Sequence, residues 1–310
     1  MNSFRKPDSQ ARNLPCYPYR KCAAPMSSSP ELLTEAALDA LVQSIRIPPR
    51  PSLLADVQLE MGREEPDPQK IAQLVSKDVA MSASVLKSAN SAFFALPRKA
   101  ETVEQAAKLL GLNQCYSLIL GLIARKAMHG KGLALSSFWD TAAKRSFAMA
   151  RLARATRVCP PDIAHTFGLF CDIGIPMLLS RFPEYSGTLR EAHNDLWQSI
   201  TTIEDRHHGT NHATISSIMS RSWGLAPDIT EAIRNHHYYE IMHESTTPKN
   251  VAALLSMCVL AERAIQVYRG VQQSAEWNLG GSGACDVLGL SAHDADEWVD
   301  QLHHVFDHEM

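Results

Sequence analysis

The sequence predicts an all-α fold, and three observations carry that prediction. Apolar residues recur at spacings of three and four over most of the chain, the period of a helix with one buried face. No two alternating apolar runs are joined by a hairpin turn, so strands are few or absent. The breaks between periodic segments are helix punctuation, with capping residues in front and glycine or proline behind.

Taken in order, residues 1–28 are polar, rich in Ser, Pro and Arg, and read as a flexible leader. Ser29 then caps a helix with Pro30 at its first position and Leu38, Leu41, Val42 and Ile45 as its apolar stripe. Pro48, Pro49 and Pro51 end it. Asp67-Pro68 opens another helix, with Ile71, Leu74 and Val75 on one face. The small residues around Ser88 to Ala92 predict close helix packing, with Asn90 bonded to backbone. Thr102 and Gln105 form a capping box, and Gly111 stops that helix. Asn113 caps the next, which runs toward Met128 and contains a short core segment from Leu118 to Ala124.

His129-Gly130-Lys131-Gly132 reads as a hinge-like break between halves. Ser137 opens a helix through Phe147 and Leu152, and Cys159-Pro160-Pro161 breaks the chain again. Further helices are expected over 162–180, 212–223, 227–236 and 249–268, with Gly224 stopping the second of these. Residues 280–283 read as a loop. Ser291 and Asp294 begin a last helix that carries Trp298, Leu302 and Phe306. Trp139, Trp223 and Trp298 are expected to anchor the core.

Composition narrows the function classes. With 310 residues, 45% of them hydrophobic, the chain can bury a large core. A net charge of -3 and the absence of like-charge runs argue against a nucleic-acid binder. Seven scattered cysteines without a Cys-x-x-Cys pair argue against a zinc knuckle, and fit reduced thiols in a cytosol. No run approaches the ~18–20 apolar residues of a membrane span, and the N-terminus lacks a signal-peptide core. A cytoplasmic location, with no membrane and no nucleic-acid partner, is the expectation. The glycines near 280 follow no strand and lack a Lys-Ser/Thr end, and no Gly-x-Ser-x-Gly elbow occurs.

Eight of the 13 histidines lie between His165 and His243. Asp172, Glu204, His207, His208, His212, His236 and His237 fall in this stretch. Carboxylates and imidazoles gathered from several helices can hold a first-row divalent metal. Such a metal makes a nucleophile of its bound water. The spacing alone is equally met by histidines that are solvated or that bond a neighbour.

The residues also resemble a known family. Pro48-Pro49-Arg50-Pro51 before a helix is similar to the opening of HDOD (HD-related output) domains. So is the stretch Ile71 to Asp78, followed by Ser84-Val85-Leu86-Lys87-Ser88-Ala89-Asn90-Ser91-Ala92-Phe93. In the second half, Phe138-Trp139, the segment Phe167 to Gly174, Glu204, Gly209, His212, Trp223-Gly224-Leu225, Pro227 and His236-His237 follow the same pattern. The resemblance covers about 47–237. It implies two packed helical subdomains: an N-terminal one over 29–130, and a degenerate HD-type one with C-terminal helices over 137–310. It also implies kinship with HD and HD-GYP phosphohydrolases and a place in bacterial signalling.

Departures from the family's active relatives bear on chemistry. The His-Asp pair of those enzymes is Cys171-Asp172 here, and the histidine expected on an earlier helix is Arg145 by alignment of Lys144-Arg145-Ser146. Two imidazoles are therefore missing. A buried carboxylate needs a cationic partner or a proton, so an ion pair between Arg145 and Asp172 is expected. The expected pocket is vestigial, made of Arg145, Cys171, Asp172, Glu204, His208, His212, His236 and His237. No catalytic residue and no cofactor are expected. A residual divalent metal would use Asp172, His212, His236 and His237.

The function implied is a non-catalytic regulatory module that binds signalling proteins, such as response-regulator or cyclic-di-GMP pathway components, and a nucleotide as an optional ligand. No receiver-like or GGDEF-like segment is seen, so the input is expected from a separate protein or small ligand. The alternative is a metal-dependent phosphohydrolase or cyclic-dinucleotide phosphodiesterase of the HD superfamily.

Overall fold

The computed structural model describes residue 45 and residues 47–128 and 135–308. The leader over 1–28, most of the helix begun at Ser29 and the break over 129–132 lie outside the described residues.

Five helices come first: α1 (Ser52–Met61), α2 (Pro68–Ser76), α3 (Val79–Ala89), α4 (Val103–Leu110) and α5 (Leu112–Met128). Then follow α6 (Ser136–Thr156), α7 (Pro161–Phe170), α8 (Gly174–Arg181), α9 (Tyr185–Asn194), α10 (Ile200–His208), α11 (His212–Ser222) and α12 (Pro227–Asn235). Last come α13 (Lys249–Tyr268), α14 (Ala275–Leu288) and α15 (Ala292–His308). Short 3-10 turns cover Ala92–Phe94 and Tyr239–His243. No strand occurs among the described residues.

Much of the punctuation acts as its chemistry requires. The Asp67 side chain accepts from Gln69 N at 2.8 Å, and Pro68 holds the first helical position. Thr102 accepts from Gln105 N at 3.1 Å, while the Gln105 side chain accepts from Glu101 N at 2.8 Å. Ser291 and Asp294 cap α15 reciprocally. Asn90 joins backbone at Ala100 through both its amide atoms, at 2.7 and 2.8 Å.

One buried apolar cluster runs from Ile45 through Trp223 to Phe306. Helices α6 and α7 lie side by side, α5 packs on α7, and α13 packs on α6, α14 and α15. Residues Val251 to Ala261 of α13 are buried without exception, as befits a helix at the centre of a bundle. The N-terminal part is stitched to α11 by the Trp223 indole, which donates to Pro48 O at 2.9 Å, and by Gln58, which donates to Trp223 O at 2.9 Å.

Four sequence expectations need correction. Residues 280–283 are helical, inside α14. A Cβ at Gly280 would stand 2.6 Å from the Tyr239 ring. These glycines serve close packing, which offsets their helix cost of about 1 kcal/mol each. Asn113 does not cap α5, because that helix already begins at Leu112. The helix expected over 162–180 is broken at 171–173, where Ile173 N and Ile175 N bond three residues back, to Phe170 O and Asp172 O. Finally, α13 and the stretch Pro161–Arg181 are long and apolar enough to cross a membrane by length and composition, although most of each is buried inside the fold. Helices α9 and α10 add to the helices expected from the sequence.

Candidate metal centre and its pocket

The break at 171–173 positions the site. By ending α7 at Phe170 and restarting at Gly174, the chain turns Asp172 out of the helix and toward α11 and α12. A Cβ at Gly174 would fall 2.3 Å from His212 O, so only glycine lets α8 begin this close to α11. The contact is fixed by Gly174 N donating to Ser216 Oγ at 2.8 Å.

Four ligand-type atoms converge there, from Asp172, His212, His236 and His237, all within 4.8 Å of one another. His212 Nε2 lies 3.3 Å from His236 Nε2 and 3.2 Å from His237 Nε2. Asp172 Oδ1 lies 3.2 Å from His236 Nε2 and 3.4 Å from His212 Nε2. The far side of each ring is held. His212 Nδ1 donates to Glu204, at 2.8 and 3.0 Å to its two oxygens. His236 Nδ1 donates to Ile233 O at 2.6 Å, and His237 Nδ1 meets the Tyr239 hydroxyl at 3.1 Å. These partners fix Nδ1 as the donor in His212 and His236, so in the neutral rings an Nε2 lone pair of each faces the common centre with Asp172.

Burial disfavours charge on all three rings. For His212 the Glu204 carboxylate and the bonds to Asp172 and Glu204 outweigh burial and raise its pKa to about 10. Burial lowers the pKa of His236 and drives that of His237 well below the usual range.

The other face of Asp172 differs. Arg145, on α6, is 1% exposed, and its Nη1 lies 2.6 Å from Asp172 Oδ2, the ion pair expected from the sequence. The same Nη1 donates to Cys171 Sγ. Arg145 Nε stands 2.7 Å from Glu262 Oε1, yet neither atom has an aligned hydrogen bond. The contact is electrostatic only. Burial works against Asp172 ionising, but Arg145 and the histidine bonds overcome it and hold its pKa well below the carboxylate range. Burial raises the Glu262 pKa, with Arg145 opposing.

The pocket above these groups has a volume of about 170 Å³ and reaches Tyr239, Glu262 and Glu276. Seven of the eight sequence-predicted residues gather around it. Glu204 does so behind His212, 0% exposed, bonded also to His212 N at 3.0 Å and to the Tyr185 hydroxyl. His208 does not join them. It bonds Thr188 Oγ1 at 2.8 Å and stacks on Phe182, because the last turn of α10 faces α9. His207 also turns outward, to Glu191. Sequence reasoning missed Glu262, Tyr239 and Glu276. For Glu262 a signal existed: it is the first charged residue after the apolar run of α13, one turn beyond Cys258.

The donor set suits one divalent ion. A tetrahedral ion with bonds of about 2.0–2.1 Å separates its ligand atoms by about 3.3 Å, and the distances from His212 Nε2 to the other two Nε2 atoms, and from Asp172 Oδ1 to His212 and His236, match. A second ion sharing Asp172 does not fit, since the Arg145 guanidinium occupies the carboxylate's other face.

Comparisons with known proteins bear on the family and the fold. A family model of the HDOD domain matches residues 47–239. An uncharacterized protein of Treponema pallidum (strain Nichols) is 26% identical over 228 residues, 72% of this chain; the match spans 43% of that relative's length. A solved structure from Shewanella amazonensis SB2B, provisionally named a phosphohydrolase, superposes with TM-score 0.66 at 19% identity, covering 86% of this chain and 94% of that one. One from Marinobacter aquaeolei VT8, provisionally named a signal transduction protein, superposes with TM-score 0.65 at 23% identity, covering 86% and 59%. At these identities the structural likeness establishes the fold.

Proposed function

The chain belongs to the HDOD domain family, and from that premise we propose that it is a non-catalytic regulatory module whose pocket tunes its binding to signalling proteins. The observation that carries this reading is the buried Arg145 guanidinium between Asp172, Glu262 and Cys171. A guanidinium stays charged in proteins. It neutralises the carboxylates permanently, but it cannot activate water or accept a phosphoryl oxygen as a ligand. Two-metal clamping of attacking and leaving oxygens is therefore lost.

Asp172, His212, His236 and His237 would hold one divalent ion, and bound there it would supply Lewis acidity and a lowered water pKa. Glu204 would keep His212 in the correct tautomer. Tyr239 would orient His237. The volume of about 170 Å³ falls below the ~300–1,000 Å³ of sites that enclose drug-sized ligands, so a cyclic dinucleotide would sit largely outside. The partners on this reading are response-regulator or cyclic-di-GMP pathway proteins, in the cytoplasm. The cage itself favours the second reading, a metal-dependent phosphohydrolase.

Metal content of the purified protein, measured by mass spectrometry beside Asp172→Ala, separates the two when joined to a phosphoester screen. One ion per chain, lost in the variant and without turnover in either, supports the regulatory reading. Turnover that follows the ion overturns it. Protein with neither ion nor turnover removes the metal from the proposal and keeps the module.

A further inference from the structure

Arg145 stands between two carboxylates that come from different parts of the chain. Asp172 Oδ2 lies 2.6 Å from its Nη1, and Glu262 Oε1 lies 2.7 Å from its Nε. The two contacts are unequal. Arg145 Nε and Glu262 Oε1 are both enclosed, and neither has a hydrogen-bond partner. A buried donor and a buried acceptor at contact distance, yet unbonded, are a costly arrangement. A small rotation of the guanidinium would align them. Because the guanidinium is a rigid plane, the same rotation loosens Nη1 from Asp172 and Cys171.

The charge of Asp172 holds the guanidinium on its side. A divalent ion among Asp172, His212, His236 and His237 would draw on that charge through Oδ1. It would also repel the guanidinium across the same carboxylate. Glu262 meets no such competitor, since it is not one of the four cage residues. Arg145 belongs to α6 and Glu262 to α13. These two helices pack together, and α13 also carries α14 and α15.

We propose that filling the cage moves the Arg145 guanidinium from Asp172 toward Glu262, completing the Nε–Oε1 hydrogen bond and drawing α6 onto α13. The proposal rests on the reading that the cage holds one divalent ion. Glu262 is then a positioning residue, which offsets the charge of Arg145 when a second cation arrives nearby. Occupancy of the cage passes in this way to the helix at the centre of the bundle, which gives the regulatory module a route from input to output.

Heteronuclear NMR of the full chain, read at the Arg145 Nε–H during a zinc titration, tests this. Arg145→Lys identifies the resonance by removing it and keeps the charge. Saturating zinc should move the parent resonance downfield, as an N–H does when it gains an aligned carboxylate acceptor. Glu262→Gln keeps the shape and removes the charge. It should abolish that movement at saturating zinc and weaken zinc binding about tenfold in competition with a chelator. Glu276→Gln removes another carboxylate of the pocket, one that makes no ion pair with Arg145, and should leave the movement intact and the affinity closer to the parent's. Zinc that binds the parent without moving the resonance, or binds Glu262→Gln as tightly as the parent, overturns the relay and leaves the cage standing. A parent that does not bind zinc overturns both, and the parent titration alone reveals it.

Discussion

The two faces of the Asp172 carboxylate make an instructive comparison. On one side, Oδ1 meets the Nε2 atoms of His212 and His236, and His237 completes the cluster. On the other, Oδ2 meets a cation that belongs to the chain itself. The same charge problem, a nearly buried carboxylate, meets on one face a cluster with the donors for an exchangeable cation and on the other a permanent one. An exchangeable cation can report on conditions, and a tethered one fixes structure.

The largest effect that could break this comparison comes from Arg145→Met. It leaves Asp172 and Glu262 without their cation in a site where Arg145 is 1% exposed. Stripping one partner from a buried pair costs about 3–5 kcal/mol. Chemical denaturation should show a loss of that order, and added divalent metal should recover part of it. A variant as stable as the parent would show that the guanidinium does not hold the site together.

Next in size is the outer support of the cage. Glu204→Gln keeps the shape but replaces the anion that accepts from His212 Nδ1 at 2.8 Å. Removing such a carboxylate–histidine support weakens metal binding by about 10–100-fold. Competition with a chelator of known affinity measures it. Unchanged affinity would mean that His212 is not a ligand.

Much of this was legible beforehand, for physical reasons that differ by residue. Caps such as Asp67, Thr102 and Ser291 act through neighbours two or three positions away, so sequence reveals them. The cage histidines clustered in sequence, and the Arg145–Asp172 pair followed from the family resemblance, which aligned Arg145 with a missing histidine, together with a carboxylate that had to be neutralised. What stayed hidden depends on long-range packing. Gly280 looks like punctuation until Tyr239 is seen against it. His208 looks like a cage member until the last turn of α10 is seen to face Phe182 and Thr188. Glu262 arrives from a helix ninety residues beyond Asp172, and only the tertiary fold says that it meets Arg145.

The smallest expected effect sharpens the comparison by removing the carboxylate altogether. His165 is as buried as the cage histidines, at 2% exposure, but its Nδ1 meets only Ser117 Oγ, at 2.7 Å. Burial, with a lesser push from Arg154, lowers its pKa to about 3, whereas beside two carboxylates His212 rises to about 10. Lowering the folded pKa below the unfolded ~6.5 means that only the unfolded chain takes up the proton as pH falls. His165 thus contributes full stability above pH ~6.5 and loses about 1.4 kcal/mol per pH unit below it, down toward its folded pKa. Denaturation of the parent and of His165→Asn at pH 7 and pH 5 should differ by about 2 kcal/mol in their acid loss, the variant losing less. Parallel losses would place the protonation elsewhere, and burial alone would not explain why this imidazole stays neutral.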